Sequence, residues 1–68
     1  MISSMDIENL DKAEQTVGLL MQDMQAVASS KSALLSNFAV DLTVRVADLQ
    51  LKIKRLHRAA QADEGAQS

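Results

Sequence analysis

The chain has no cysteine, proline, tryptophan or tyrosine, and its 68 residues include one phenylalanine, one histidine and two glycines. Each absence excludes something. Without cysteine there is no disulfide framework, and one histidine is too few for a conventional zinc ligand set, so two usual supports of very small domains are closed. Regular helix packing and oligomerisation are the routes left to a chain of this length. The lack of proline and the scarcity of glycine remove the punctuation of a many-turned fold and suit long helices. Phe38, the only aromatic residue, cannot by itself form the row of stacking platforms that single-stranded nucleic-acid binders use. No apolar run approaches the ~18 residues of a membrane span, and the amino terminus lacks the basic start and apolar block of a signal peptide. The expected location is therefore the cytoplasm.

What the chain does have is periodicity. Read in sevens, Leu35, Leu42, Leu49 and Leu56 share one position and Ala39, Val46, Ile53 and Ala60 another. That is the leucine-at-d, β-branched-at-a seam with which helices pack on helices. Val40, Val44, Ala47 and Leu51 form a second stripe, which at about 100° per residue lies roughly opposite the leucines. A helix apolar on two opposite faces needs two neighbours. One comes from the same chain, because Leu10, Ala13, Val17, Leu20, Met24 and Val27 recur at helical spacing, with Met21 and Ala28 widening the stripe. The other is a second copy or another protein.

The boundaries follow from capping and turn chemistry. Residues 1–4 form a short leader, with Met5 as an alternative start, and Ser3, Ser4 or Asp6 can cap a first helix over about 5–29. Asp6, Glu8 and Asp11 then load its first turns with the negative charge that the helix dipole favours. The cluster Ser29-Ser30-Lys31-Ser32 breaks the pattern and predicts a turn at about 29–33, with Ser36-Asn37 as a second candidate break. A second helix runs over about 33–60, and 61–68 is expected to be a disordered polar tail. Gly18 interrupts the first helix at a cost of about 1 kcal/mol against alanine, unless it admits a close neighbour. A rival exists: Val40 to Val46 and Leu49 to Lys54 alternate as strands do, but the Ala47-Asp48 junction lacks the residue pair of a tight hairpin turn, and the heptads run through it.

Charge supports an antiparallel arrangement. Residues 1–30 carry five acids against Lys12 alone, whereas residues 31–68 carry six lysines and arginines against four acids. Folding back near residue 31 brings the acidic start beside the basic end. Exposed pairs are worth only a few tenths of a kcal/mol each, so they bear on orientation more than on stability.

Catalysis finds little to work with. His57 is the only imidazole and falls at the edge of the seam, where a packing or surface role is the simpler explanation; no carboxylate and histidine spacing suggests a metal. Ser29, Ser30 and Lys31 on a turn do not build an oxyanion site, and no glycine-rich phosphate loop is present. No catalytic, cofactor-binding or metal residues are assigned. The run Lys52 to Arg58 could touch nucleic acid, yet its cations also complement the helix dipole and the acids of the first helix. The chain as a whole carries a formal charge of −2, unlike the strongly basic domains that bind DNA. Met21 and Met24 suit core filling or an adaptable contact. Phe38 fits either a core position near the turn or an anchor in a partner pocket.

The layout of Asp6-Ile7-Glu8-Asn9-Leu10-Asp11-Lys12-Ala13-Glu14 leading a first helix, followed by Phe38-Ala39-Val40-Asp41-Leu42-Thr43-Val44-Arg45-Val46 in a second, resembles small phage-encoded host-takeover proteins. In size and layout it is similar to the quorum-sensing anti-activators of Mu-like phages that infect pseudomonads. That resemblance covers about residues 5–60 and rests on no signature motif. It implies a dimer of helical hairpins that binds a quorum-sensing transcription activator in the host cytoplasm, with the type IV pilus assembly ATPase as a further target.

The expectation from the sequence is an all-α, antiparallel two-helix hairpin that self-associates into a four-helix dimer. The leucine stripe would pack on the first helix, and Val40, Val44, Ala47 and Leu51 would form the dimer interface. Phe38, Arg45, Leu19, Lys31 and Leu34, left outside both stripes, are the expected contacts to a target protein. Function would be inhibition by binding, with neither membrane nor small-molecule substrate involved. The alternatives are a secretion-type co-chaperone that covers a client helix and a small DNA-binding regulator that uses Lys52 to Arg58.

Overall fold

The computed structural model describes the backbone of residues 2–67 and the side chains of residues 2–63. Two helices make up the fold, α1 over Ser4–Ala28 and α2 over Ala33–Gln67, antiparallel and joined by a serine-rich turn. The alternating segments of residues 40–54 are helical throughout, so the 3.6 period prevails over the period of two.

Local chemistry explains each end. Ser3 caps α1: its hydroxyl accepts from the Asp6 backbone N–H at 3.1 Å, while the Asp6 carboxylate accepts from the Ser3 N–H at 3.0 Å. This is a reciprocal capping box with Asp in the third helical position. Accepting the Ser3 backbone N–H, and then contacting its side chain, holds the Asp6 carboxyl below its ordinary value. At the other end, the Ser29 N–H is shared between the Gln25 and Ala26 carbonyls, both at 3.2 Å, and the Ser29 hydroxyl donates to the Gln25 carbonyl at 3.1 Å. Ser32 N–H donates to the Ser30 hydroxyl at 3.1 Å, and the Ser36 hydroxyl crosses to the Ala28 carbonyl at 2.9 Å. Serines thus satisfy the orphan groups of both helix ends, and among the described residues the turn needs no left-handed backbone. Ser36-Asn37, the second candidate break, lies inside α2.

Helix α2 continues past Ala60 to Gln67, where the sequence pattern suggested a disordered tail. Ala59, Ala60, Gln61 and Ala62 are strong helix formers, and the small, polar composition of the segment does not oppose helix. Ser68 and the side chains of 64–67 lie outside the described residues.

The hairpin is long and thin. Its Cα extents are 52 × 15 × 12 Å and its radius of gyration is 15.6 Å, where a compact domain of this length would have roughly 11 Å. The core is correspondingly small: among the described residues, Val17, Ala39 and Ala60 are the buried apolar ones, joined by His57. Gly18 is half-buried, but a Cβ there would meet only the Gln50 side-chain amide, at 3.8 Å, so no close neighbour requires glycine.

Candidate functional site

Only one of the two lines expected in the packing seam faces inward. Leu35, Leu42, Leu49 and Leu56, assigned to the interior by the heptad pattern, are 53, 46, 48 and 58 % exposed. Ala39, Val46, Ile53 and Ala60 face inward as the heptads assign them, but the line that accompanies them is Ser36, Thr43, Gln50 and His57, all buried or half-buried, in place of the leucines. The two candidate lines lie one residue, about 100°, apart on either side of the shared Ala39–Ala60 line, so the centre of the seam is turned by about 50° relative to the leucine expectation. Small inward residues permit a close approach to α1, and the leucines are displaced to one flank.

Several of these inward polar residues are engaged. Ser36 donates to the Ala28 carbonyl, and the Thr43 hydroxyl donates to the Ala39 carbonyl at 2.7 Å. His57, 7 % exposed, is held by Glu14 across the seam, with Nδ1 to Oε2 at 2.9 Å. An ionised carboxylate only accepts, so Nδ1 carries the proton in this bond. The opposite nitrogen, Nε2, is buried without a hydrogen-bond partner. Asp11 brings a third donor atom to within 4.8 Å of those of Glu14 and His57, while its carboxylate also accepts from Gln15 at 2.9 Å. The imidazole nitrogen beside the carboxylates is already committed to Glu14, and Nε2 projects from the opposite side of the ring. The arrangement is an interhelical hydrogen-bonded pair. Sequence reading placed His57 at the seam's edge and missed Glu14, because the partners are 43 residues apart; the antiparallel register about the serine turn is the only signal that aligns them.

Rotation of α2 leaves two apolar flanks. On the leucine flank, Leu56 adjoins Asn9 and Leu10 of α1 and the preceding Ile2 in a shallow depression that Asp6 and Ala60 complete. Farther along α1 the same side carries Leu20 and Val27, both exposed, so apolar surface spans both helices. The valine flank holds the exposed Val40, Val44, Ala47 and Leu51, the residues expected at a dimer interface. Its border is polar: Ala47 and Leu51 line a depression with Glu14, Gln50 and Lys54.

The residues expected to contact a target are all exposed, but they do not converge. Leu34, Phe38 and Arg45 follow one another at helical spacing along the outer edge of the leucine flank, where Arg45 pairs with Asp41 at 3.1 Å. Leu19 lies on α1 beside Gln15, Gly18, Met21 and Gln22, and Lys31 lies in the turn. The cations of the Lys52 to Arg58 run also diverge around α2. Lys52 pairs with Asp48 at 2.8 Å, which raises the Lys52 ammonium above its ordinary value. Among the described residues, no helix is long and apolar enough to cross a membrane.

Fold and surface together define a two-helix hairpin with a minimal core and two exposed apolar flanks. No family model, curated protein or solved structure matches the chain.

Proposed function

We propose that this chain is a non-enzymatic protein-binding module, a self-associating helical hairpin that acts by covering a surface of another protein. The observation that carries this reading is the disproportion between core and flanks: among the described residues, three buried apolar residues stabilise a hairpin that leaves thirteen large apolar side chains exposed. Full burial of a leucine contributes about 1.5–3 kcal/mol, and these leucines, about half-exposed, forgo about half of it each, so both flanks favour a partner. A dimer with a four-helix core covers one flank and leaves the other for a target. The likeness to phage host-takeover proteins supplies the target class: a host transcription activator of quorum sensing, with the pilus assembly ATPase as a second protein of the same kind, both met in the cytoplasm.

Light scattering with circular dichroism across a dilution series tests the first half of this proposal. A strongly helical particle of twice the chain mass of 7.4 kDa, persisting into the low micromolar range, is the expected result. A poorly folded monomer would instead favour the co-chaperone reading, in which the exposed flank waits for a client helix. For the second half, a Phe38→Ala, Arg45→Ala double variant of intact fold should bind the activator more weakly; unchanged affinity removes these residues from the contact.

A further inference from the structure

We infer that the second copy covers the leucine flank, Leu20 and Val27 of α1 with Leu35, Leu42, Leu49 and Leu56 of α2, and not the valine flank. This rests on the reading of the protein as a self-associating hairpin and assigns the face that does the associating.

Three observations point to a second copy on this face. The first is the direction in which α2 is turned. A hairpin that functioned alone would gain most by placing four leucines inward, yet it places Ser36, Thr43, Gln50 and His57 there and puts the leucines on the side. That orientation is favourable when the leucines are covered. The second is area. The hairpin exposes 5069 Å², where a compact monomer of 7.4 kDa exposes roughly 4,200 Å². The excess of roughly 900 Å² matches the roughly 800 Å² per partner of a standard interface. A face 52 Å long and 15 Å wide supplies an area of the same order. On the valine flank, Glu14, Gln50 and Lys54 interrupt the apolar surface, and beyond Gln50 the apolar Leu19 and Met21 of α1 alternate with Gln15 and Gln22, so the continuous apolar strip there is narrower.

The third observation is charge. α1 belongs to the acidic half of the chain, and α2 to the basic half. A two-fold axis parallel to the helices lays each α1 over the α2 of the other copy, so opposite charges meet along both rims and every neighbouring helix is antiparallel. It also sets leucine against leucine and valine, the self-complementary condition of an isologous interface. Val40, Val44, Ala47 and Leu51 then stay outside, available to a different protein.

The absence of native cysteine makes a mild test possible. Four single variants, Leu42→Cys, Leu49→Cys, Val44→Cys and Leu51→Cys, are alkylated at nanomolar and at high micromolar concentration, with mass and helicity recorded alongside. The expected result is at least tenfold slower alkylation of Leu42→Cys and Leu49→Cys at high concentration, with Val44→Cys and Leu51→Cys unchanged, at the mass of a dimer. Slower alkylation of the valine-flank thiols at that mass, alone or together with the leucine-flank thiols, overturns the assignment while leaving the dimer intact. Four thiols that react equally fast at both concentrations in a particle of dimer mass also overturn it. A wild-type chain that stays monomeric throughout removes the self-association reading itself. A variant that loses helicity is replaced by its neighbour on the same flank, Leu35→Cys or Val40→Cys.

Discussion

The two flanks of α2 are similar in apolar content and differ in what α1 places beside them. The leucine flank continues across the groove into Leu10 and, farther along α1, the exposed Leu20 and Val27, whereas beside the valine flank α1 sets Glu14, Gln15 and Gln22 among Leu19 and Met21 and interrupts the apolar surface. An apolar stripe becomes a broad docking face only when the adjoining helix extends it. Counting hydrophobic residues on one helix therefore misjudges which side can support a large interface.

The largest expected effect breaks the comparison directly. Leu42→Glu with Leu49→Glu removes two leucines per copy, four across the proposed interface, each about half-exposed in the hairpin; the loss is about 3–6 kcal/mol of association, which sedimentation would record as a dissociation constant weakened by two orders of magnitude or more. Val44→Glu with Leu51→Glu should leave the sedimenting mass unchanged. Equal weakening by both pairs would mean that the flanks are equivalent.

A smaller effect is expected inside the seam. Glu14→Ala strands the buried His57 ring without its partner and should lower stability in urea by about 1–3 kcal/mol. Glu14→Leu combined with His57→Leu should recover most of that loss, because the double variant leaves no buried polar atom behind. If the double variant is worse than Glu14→Ala, the pair contributes more than its own satisfaction.

At the start of α1, Ser3→Ala removes the cap and should cost about 1 kcal/mol. The cap is also pH-dependent. Because folding lowers the Asp6 carboxyl, its contribution is complete above the ordinary carboxylate range and is lost as pH falls through the lowered folded value. Asp6→Asn should therefore flatten the helicity change seen on acidification below about pH 4. The smallest predicted change is a gain: Gly18→Ala fills open space beside Gln50 and should stabilise the hairpin by about 0.5–1 kcal/mol in thermal unfolding.

Much of the fold was legible before any coordinates. Serines that compete for backbone hydrogen bonds marked the turn, and Ser3 with Asp6 carried the chemistry of a cap. Periodicity located two helices. It could not choose between residues 35, 42, 49, 56 and residues 36, 43, 50, 57 as the inward line, because both repeat by seven beside the same Ala39–Ala60 line. Leucine was favoured on hydrophobicity, but α2 faces inward with its small and polar residues, and that is a property of the pair of helices rather than of either one. The candidate contact residues were chosen for lying outside both stripes, which guarantees exposure but not convergence, as Leu19 and Phe38 demonstrate.

The serine turn has a kinetic consequence. Only four residues separate Ala28 from Ala33, so pairing of the two helices starts from contacts near in sequence and zips outward, the topology of chains that fold in microseconds to milliseconds. Finding a second copy is slower and depends on concentration. If the proposed dimer forms, a newly made chain would therefore complete its hairpin first and expose its leucines until enough copies accumulate, so protein abundance rather than folding would control when the assembled form exists.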